Sequence, residues 1–130
     1  VSTKDVFSAA VAAMSTAVEV PLAGEVVKLD AWADEVNIFL HREAQSAQAL
    51  LAWLWWLPGA RLVHRHSTDA HLYVNVRASV GGVKWDVWSA FDGADAELLC
   101  EHEHDGNQPL SVHRLRWLQM RQTAALVGAP

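Results

Sequence analysis

Across 130 residues the chain has a single cysteine, Cys100. One thiol makes no internal disulfide, so no disulfide framework can hold the fold, and such cysteine usage suits a reducing compartment. Long apolar runs are also missing. The longest, Ala49 to Pro58, is about half of the ~20 residues that a membrane-spanning helix needs. Charge is sparse, with 19% Asp, Glu, Lys and Arg and a net charge of −5. A net negative chain disfavours broad, nonspecific nucleic-acid binding, which depends on cationic surface. Near the start, Lys4 stands beside Asp5 with no small-residue cleavage pattern after a continuous apolar core, so no signal peptide is expected. Several chemical signatures are absent as well. There is no H-E-x-x-H, no cysteine set for zinc, no G-x-S-x-G elbow and no phosphate-cradling glycine loop. No motif asks for a cofactor.

What is present is hydrophobic. The apolar fraction is 52%, the reverse of the balance that keeps a chain disordered. The length is that of one domain, residues 1–130, expected to be cytoplasmic. Arginine outnumbers lysine seven to three and alanine is abundant, a composition that leans towards a bacterial or phage source.

Periodicity divides the chain into elements. Residues 3–19 predict a helix with Phe7, Ala10, Val11, Met14, Ala17 and Val18 on one face and Ser2 or Thr3 as N-cap. Residues 25–33 fit either a helix or a strand. Val36, Ile38 and Leu40 alternate as in a strand over 35–41, and a helix is expected over 43–57, closed by Pro58–Gly59. Strands are then expected over 60–66, 71–80 and 83–91. Gly81–Gly82 marks a two-residue hairpin, because primed turns need positive φ. Pairing Val80 with Val83 sets Ala78 opposite Trp85, Val76 opposite Val87 and Arg77 opposite Asp86, so the apolar faces and a charge pair agree on one register. The register of the hairpin before it stays open. If His66 faces His71, Val63 is buried; a one-residue shift buries Leu62 instead. Residues 94–104 fit a helix or a strand, and Ser111 can cap a last helix to about Val127, with Val112, Leu115, Leu118 and Ala125 inward. The expected fold is α+β: an antiparallel three- to four-stranded meander packed against helices on one face.

The helix over 43–57 is unusual. Ala47, Leu50, Leu51 and Leu54 already make a core stripe, and Trp53, Trp55 and Trp56 cover much of the rest. A helix that is apolar all round is buried on more than one side. Either the sheet covers one side and the N-terminal helix the other, or the tryptophans form a partner-binding surface, most simply for a second copy of the chain, or they line a ligand pocket.

His64, His66 and His71 flank one turn, and imidazoles suit zinc, copper or nickel. They are a candidate metal site that His102 and His104 could extend, beside the plainer reading of solvated turn histidines. Arg114, Arg116 and Arg121, with His113, lie on the last helix and could contact phosphates, or simply line an exposed face.

The stretch His102-Glu103-His104-Asp105-Gly106-Asn107 resembles the His-Asp-Gly-Asn segment of HNH-type nucleases. The resemblance covers about six residues and implies His104 as a base, with His102 or His113 as a metal ligand. That family places further asparagines just downstream, whereas the asparagines here are Asn37, Asn75 and Asn107, and His113 follows too soon. The plainer reading is an Asp-Gly-Asn turn beside exposed histidines. The sequence therefore points away from an enzyme. It points towards a binding or assembly module that self-associates or takes a protein partner, with a metal-binding accessory protein and a small nucleic-acid-binding regulator as alternatives.

Overall fold

A computed structural model describes residues 2–19, 26–41, 46–66, 71–100 and 108–128. Ten elements follow in order: α1 (Thr3–Glu19), β1 (Val26–Trp32), β2 (Glu35–Leu40), α2 (Ser46–Trp56), β3 (Arg61–His66), β4 (Leu72–Val80), β5 (Val83–Phe91), α3 (Gly93–Leu99), β6 (Gln108–Pro109) and α4 (Val112–Leu126). The α+β class holds, but the sheet is larger than a short meander. It has six strands in the order β1-β2-β5-β4-β3-β6. Its β2–β5 pair is parallel and the other pairs are antiparallel. The parallel pair arises because the chain crosses through α2 from β2 to β3, and β4 and β5 return to fill the gap between them.

The two open regions are assigned over their described residues. Residues 26–32 are a strand, paired with β2 through a two-residue turn at Ala33–Asp34. Residues 93–99 are helical, while 101–107, the nuclease-like stretch included, lie outside the described residues. The Gly81–Gly82 hairpin has the register that its two patterns predict, Arg77 opposite Asp86 and Ala78 opposite Trp85. In the preceding hairpin His66 pairs with Leu72, not His71, so Leu62 joins the buried face.

The core lies between one face of the sheet and a single layer of helices. Val36, Ile38 and Leu40 of β2, Val74 and Val76 of β4 and Val87 of β5 meet Leu50 and Trp53 of α2 and Leu115 and Leu118 of α4. Val112 is half-buried and Ala125 exposed. Ser2 caps α1: its Oγ accepts from the Asp5 backbone N–H at 3.2 Å, and Asp5 Oδ2 accepts from the Ser2 N–H at 3.3 Å. The face of α1 turned inward is carried by Val6 and Ala10, which are buried, whereas Phe7 and Val11 are exposed. This keeps Ala10 of the expected stripe and corrects Phe7 and Val11, while the side chains of Met14, Ala17 and Val18 lie outside the described residues. Val6 and Ala10 are one helical turn apart and so share a face.

The opposite face of the sheet has no helix over it among the described residues. Alternation sends every second side chain of each strand there. One cross-strand row reads Asn37, Asp86, Arg77, Arg61; the next reads Phe39, Trp88, Asn75, Val63.

Candidate functional site

The three tryptophans of α2 diverge around the helix. Trp53 is 0% exposed and belongs to the core. Trp56 is 41% exposed and packs edge-on against Trp53 and Trp85, with ring centroids 5.4 and 5.7 Å away. Trp55 is 68% exposed. The helix is therefore covered on two sides, by the sheet and by α4, the last helix taking the place expected of the N-terminal one. The backbone N–H of Ala47 donates to Gln122 Oε1 at 3.1 Å, and Gln122 Nε2 donates to Ser46 Oγ at 3.2 Å. As a partner-contacting residue Trp53 is corrected to a core residue, because the sheet and α4 close over its side of the helix.

The outer surface of this layer extends onto α4. Trp117 is 54% and Met120 68% exposed, and they are neighbours at i, i+3 spacing. Arg116, one turn before Met120, places its guanidinium 5.6 Å from the Trp55 ring centroid. The exposed apolar side chains of the helical layer are thus Trp55 and, in part, Trp56 on α2, with Arg116 of α4 over the Trp55 ring, and Trp117 and Met120 on α4. Trp117 and Met120 are not among the residues that the sequence pattern singles out. Their signal was their position: both lie off the Leu115–Leu118 face of α4.

The arginines of α4 have partners within the chain. Arg114 Nη1 donates to the carbonyl of Leu98 at 3.1 Å, satisfying an orphan acceptor at the end of α3. Arg121 Nε lies 4.0 Å from Asp95 Oδ1. Their arrangement binds α4 to α2 and α3.

The histidines separate. His64 is buried on the helix-facing side of β3, its Nε2 3.1 Å from Cys100 Sγ. His71 precedes Leu72, which puts it out of phase with His64 across the hairpin, and its Nδ1 lies 4.0 Å from Asp92 Oδ2. The His66 side chain, like His102 and His104, lies outside the described residues. The register pairs His66 with Leu72, which leaves His71 one residue before β4. Among the described residues no three metal-ligating side chains come together.

The open face of the sheet supplies a second surface. Phe39 stacks on Trp88 at 4.4 Å, Tyr73 meets Trp88 edge-on at 5.3 Å, and the Arg65 guanidinium lies 5.4 Å from the Tyr73 centroid. Beside this aromatic strip is a concavity of about 720 Å³ lined chiefly by Glu35, Asn37, Arg61, Arg77, Lys84 and Asp86. Comparison with protein families, with curated proteins and with solved structures finds no match to this chain. No described helix is long and apolar enough to cross a membrane.

Proposed function

We propose that the chain is a non-enzymatic assembly module that self-associates through the outer face of α2 and α4. The observation that carries this reading is the exposure of Trp55, Trp117 and Met120 on the two packed helices α2 and α4. Soluble monomers rarely leave large contiguous apolar patches in water unless the patch binds something. Tryptophan, methionine and arginine are the residue types enriched at protein interfaces, and tryptophan and arginine dominate their hot spots.

The charge pattern favours a second copy over a partner of opposite charge. The basic residues of the patch are already engaged, Arg116 on Trp55 and Arg121 with Asp95. What remains to be covered is apolar, as in homodimer interfaces. A twofold arrangement buries the same patch twice and closes the assembly. Light scattering across a dilution series tests the reading: the average mass should fall from dimer to monomer on dilution, and a monomer at every concentration would refute it.

A further inference from the structure

Arg61 and Arg77 are directly opposed across β3 and β4 on the open face of the sheet. Like charges in that relation destabilise an antiparallel pair. The carboxylate nearest to them is already engaged. Asp86 Oδ1 accepts from Asn75 Nδ2 at 2.9 Å, and Asp86 Oδ2 lies 3.6 Å from Arg77 Nε. Lys84, on the same rim, is drawn to Asp34 at 3.8 Å. Arg61 is exposed and has no ion-pair partner among the described residues. Two opposed guanidiniums, of which only Arg77 has a carboxylate partner among the described residues, form a site short of negative charge, inside a chain whose net charge is −5.

The two arginines occupy one end of the concavity of about 720 Å³, and Asn37 and Glu35 of β2 occupy the other. This volume lies within the range of about 300–1,000 Å³ usual for small-molecule sites. We propose that the concavity binds a small two-ended ligand. Its oxyanion head, a phosphate or a carboxylate, lies between Arg61 and Arg77, and an ammonium or other hydrogen-bond donor at its far end meets Glu35 and Asn37. The planar guanidinium fork matches either head group in bidentate fashion, and an anion between two forks turns a repulsion into two charge-assisted contacts. Two strand spacings separate Asn37 from Arg77, about 10 Å between backbones, which the long arginine and glutamate side chains narrow to the span of a small molecule. Asp86, fixed by Asn75, holds Arg77 in place before any ligand arrives. The site faces away from the helical layer and does not depend on self-association.

The test is an amide-resonance titration of the labelled protein with phosphoethanolamine and, separately, with β-alanine, at ionic strength held constant with sodium chloride. These probes carry the same ammonium tail on a phosphate and a carboxylate head. The expected result is a saturable shift confined to residues 35–37, 61, 77–79 and 84–86, and the tighter probe identifies the head group. Arg61→Gln should weaken that probe by about tenfold or more, since a charge-assisted contact is lost. Because Arg61 is exposed, the variant should keep a folded spectrum. Glu35→Gln should weaken both probes by a similar factor through the tail. No saturable shift with either probe, or equal affinity in Arg61→Gln and wild type, would overturn the proposal.

Discussion

His64 Nε2 lies 3.1 Å from the Sγ of Cys100, joining the helix-facing side of β3 to the residue that ends α3. The contact gives a buried imidazole a polar partner in the core. It also turns a histidine that looked like a turn residue into a structural one. His64→Ala should lower stability by about 2–4 kcal/mol in urea denaturation, through the lost contact and the cavity left behind. Cys100→Ser, which keeps a hydroxyl within reach of the ring, should cost under about 1.5 kcal/mol. Equal costs for the two would mean that packing of Cys100, not its contact with His64, matters there.

Trp53 and Trp55 are two positions apart on α2 and should behave oppositely. Trp53→Ser removes a fully buried ring, so the expected cost is at least ~3–5 kcal/mol, with loss of the folded circular-dichroism spectrum at moderate temperature. Trp55→Ser exposes no core and loses chiefly the contact with Arg116, worth about 0.5–1 kcal/mol at an exposed site. Thermal melts of both variants in dilute solution check the contrast.

Ala33 and Gly81 make a reciprocal pair of turn positions. Ala33 stands at φ +51° in the β1–β2 turn and Gly81 at φ +58° in the β4–β5 turn. A side chain in that region costs roughly 1–2 kcal/mol, which glycine avoids. Ala33→Gly should therefore stabilise the protein by about 1 kcal/mol and Gly81→Ala destabilise it by a similar amount. A Cβ built on Gly81 meets nothing within 4 Å, so the cost there is one of backbone conformation. Paired urea midpoints with unchanged slopes would establish both signs.

The same strands show what the sequence discloses and what it withholds. The β4–β5 hairpin was legible because a Gly-Gly turn, two alternating apolar faces and the Arg77–Asp86 pair all specify one register. The partner of β2 was not, because the strand parallel to it lies far along the chain and no local pattern encodes that pairing. β1 was obscure for a different reason. Along Val26–Trp32 only Val26 and Leu29 are half-buried and the rest are exposed, so this edge strand lacks the alternation of a half-buried one. The place of His64 hung on a one-residue choice of hairpin register, which moves a whole set of side chains between faces. The open-face concavity was unreadable because it gathers residues from β2, β3, β4 and β5 that read singly as solvated polar positions.

Asn75 and Asp86 support the open face from within. Asn75 is buried, and its amide donates to Asp86. Asp86→Ala should cost about 1–3 kcal/mol, because it leaves a buried donor unpaired. The double variant Asn75→Ala/Asp86→Ala should cost less than the sum of the two single changes, with a coupling of about 0.5–3 kcal/mol. Full additivity in chemical denaturation would contradict the hydrogen bond as an energetic unit.

Self-association through the outer face of α2 and α4 is tested most directly by sedimentation equilibrium of the wild type and of Trp55→Ser/Trp117→Ser, each over the same concentration series. The double variant leaves Trp53 and the core untouched. The wild type should fit a monomer–dimer equilibrium that shifts towards dimer as concentration rises. The double variant should sediment as a monomer throughout, with an unchanged far-ultraviolet circular-dichroism spectrum. A wild type that remains monomeric at every concentration, or a double variant that dimerises as tightly as the wild type, would contradict the account.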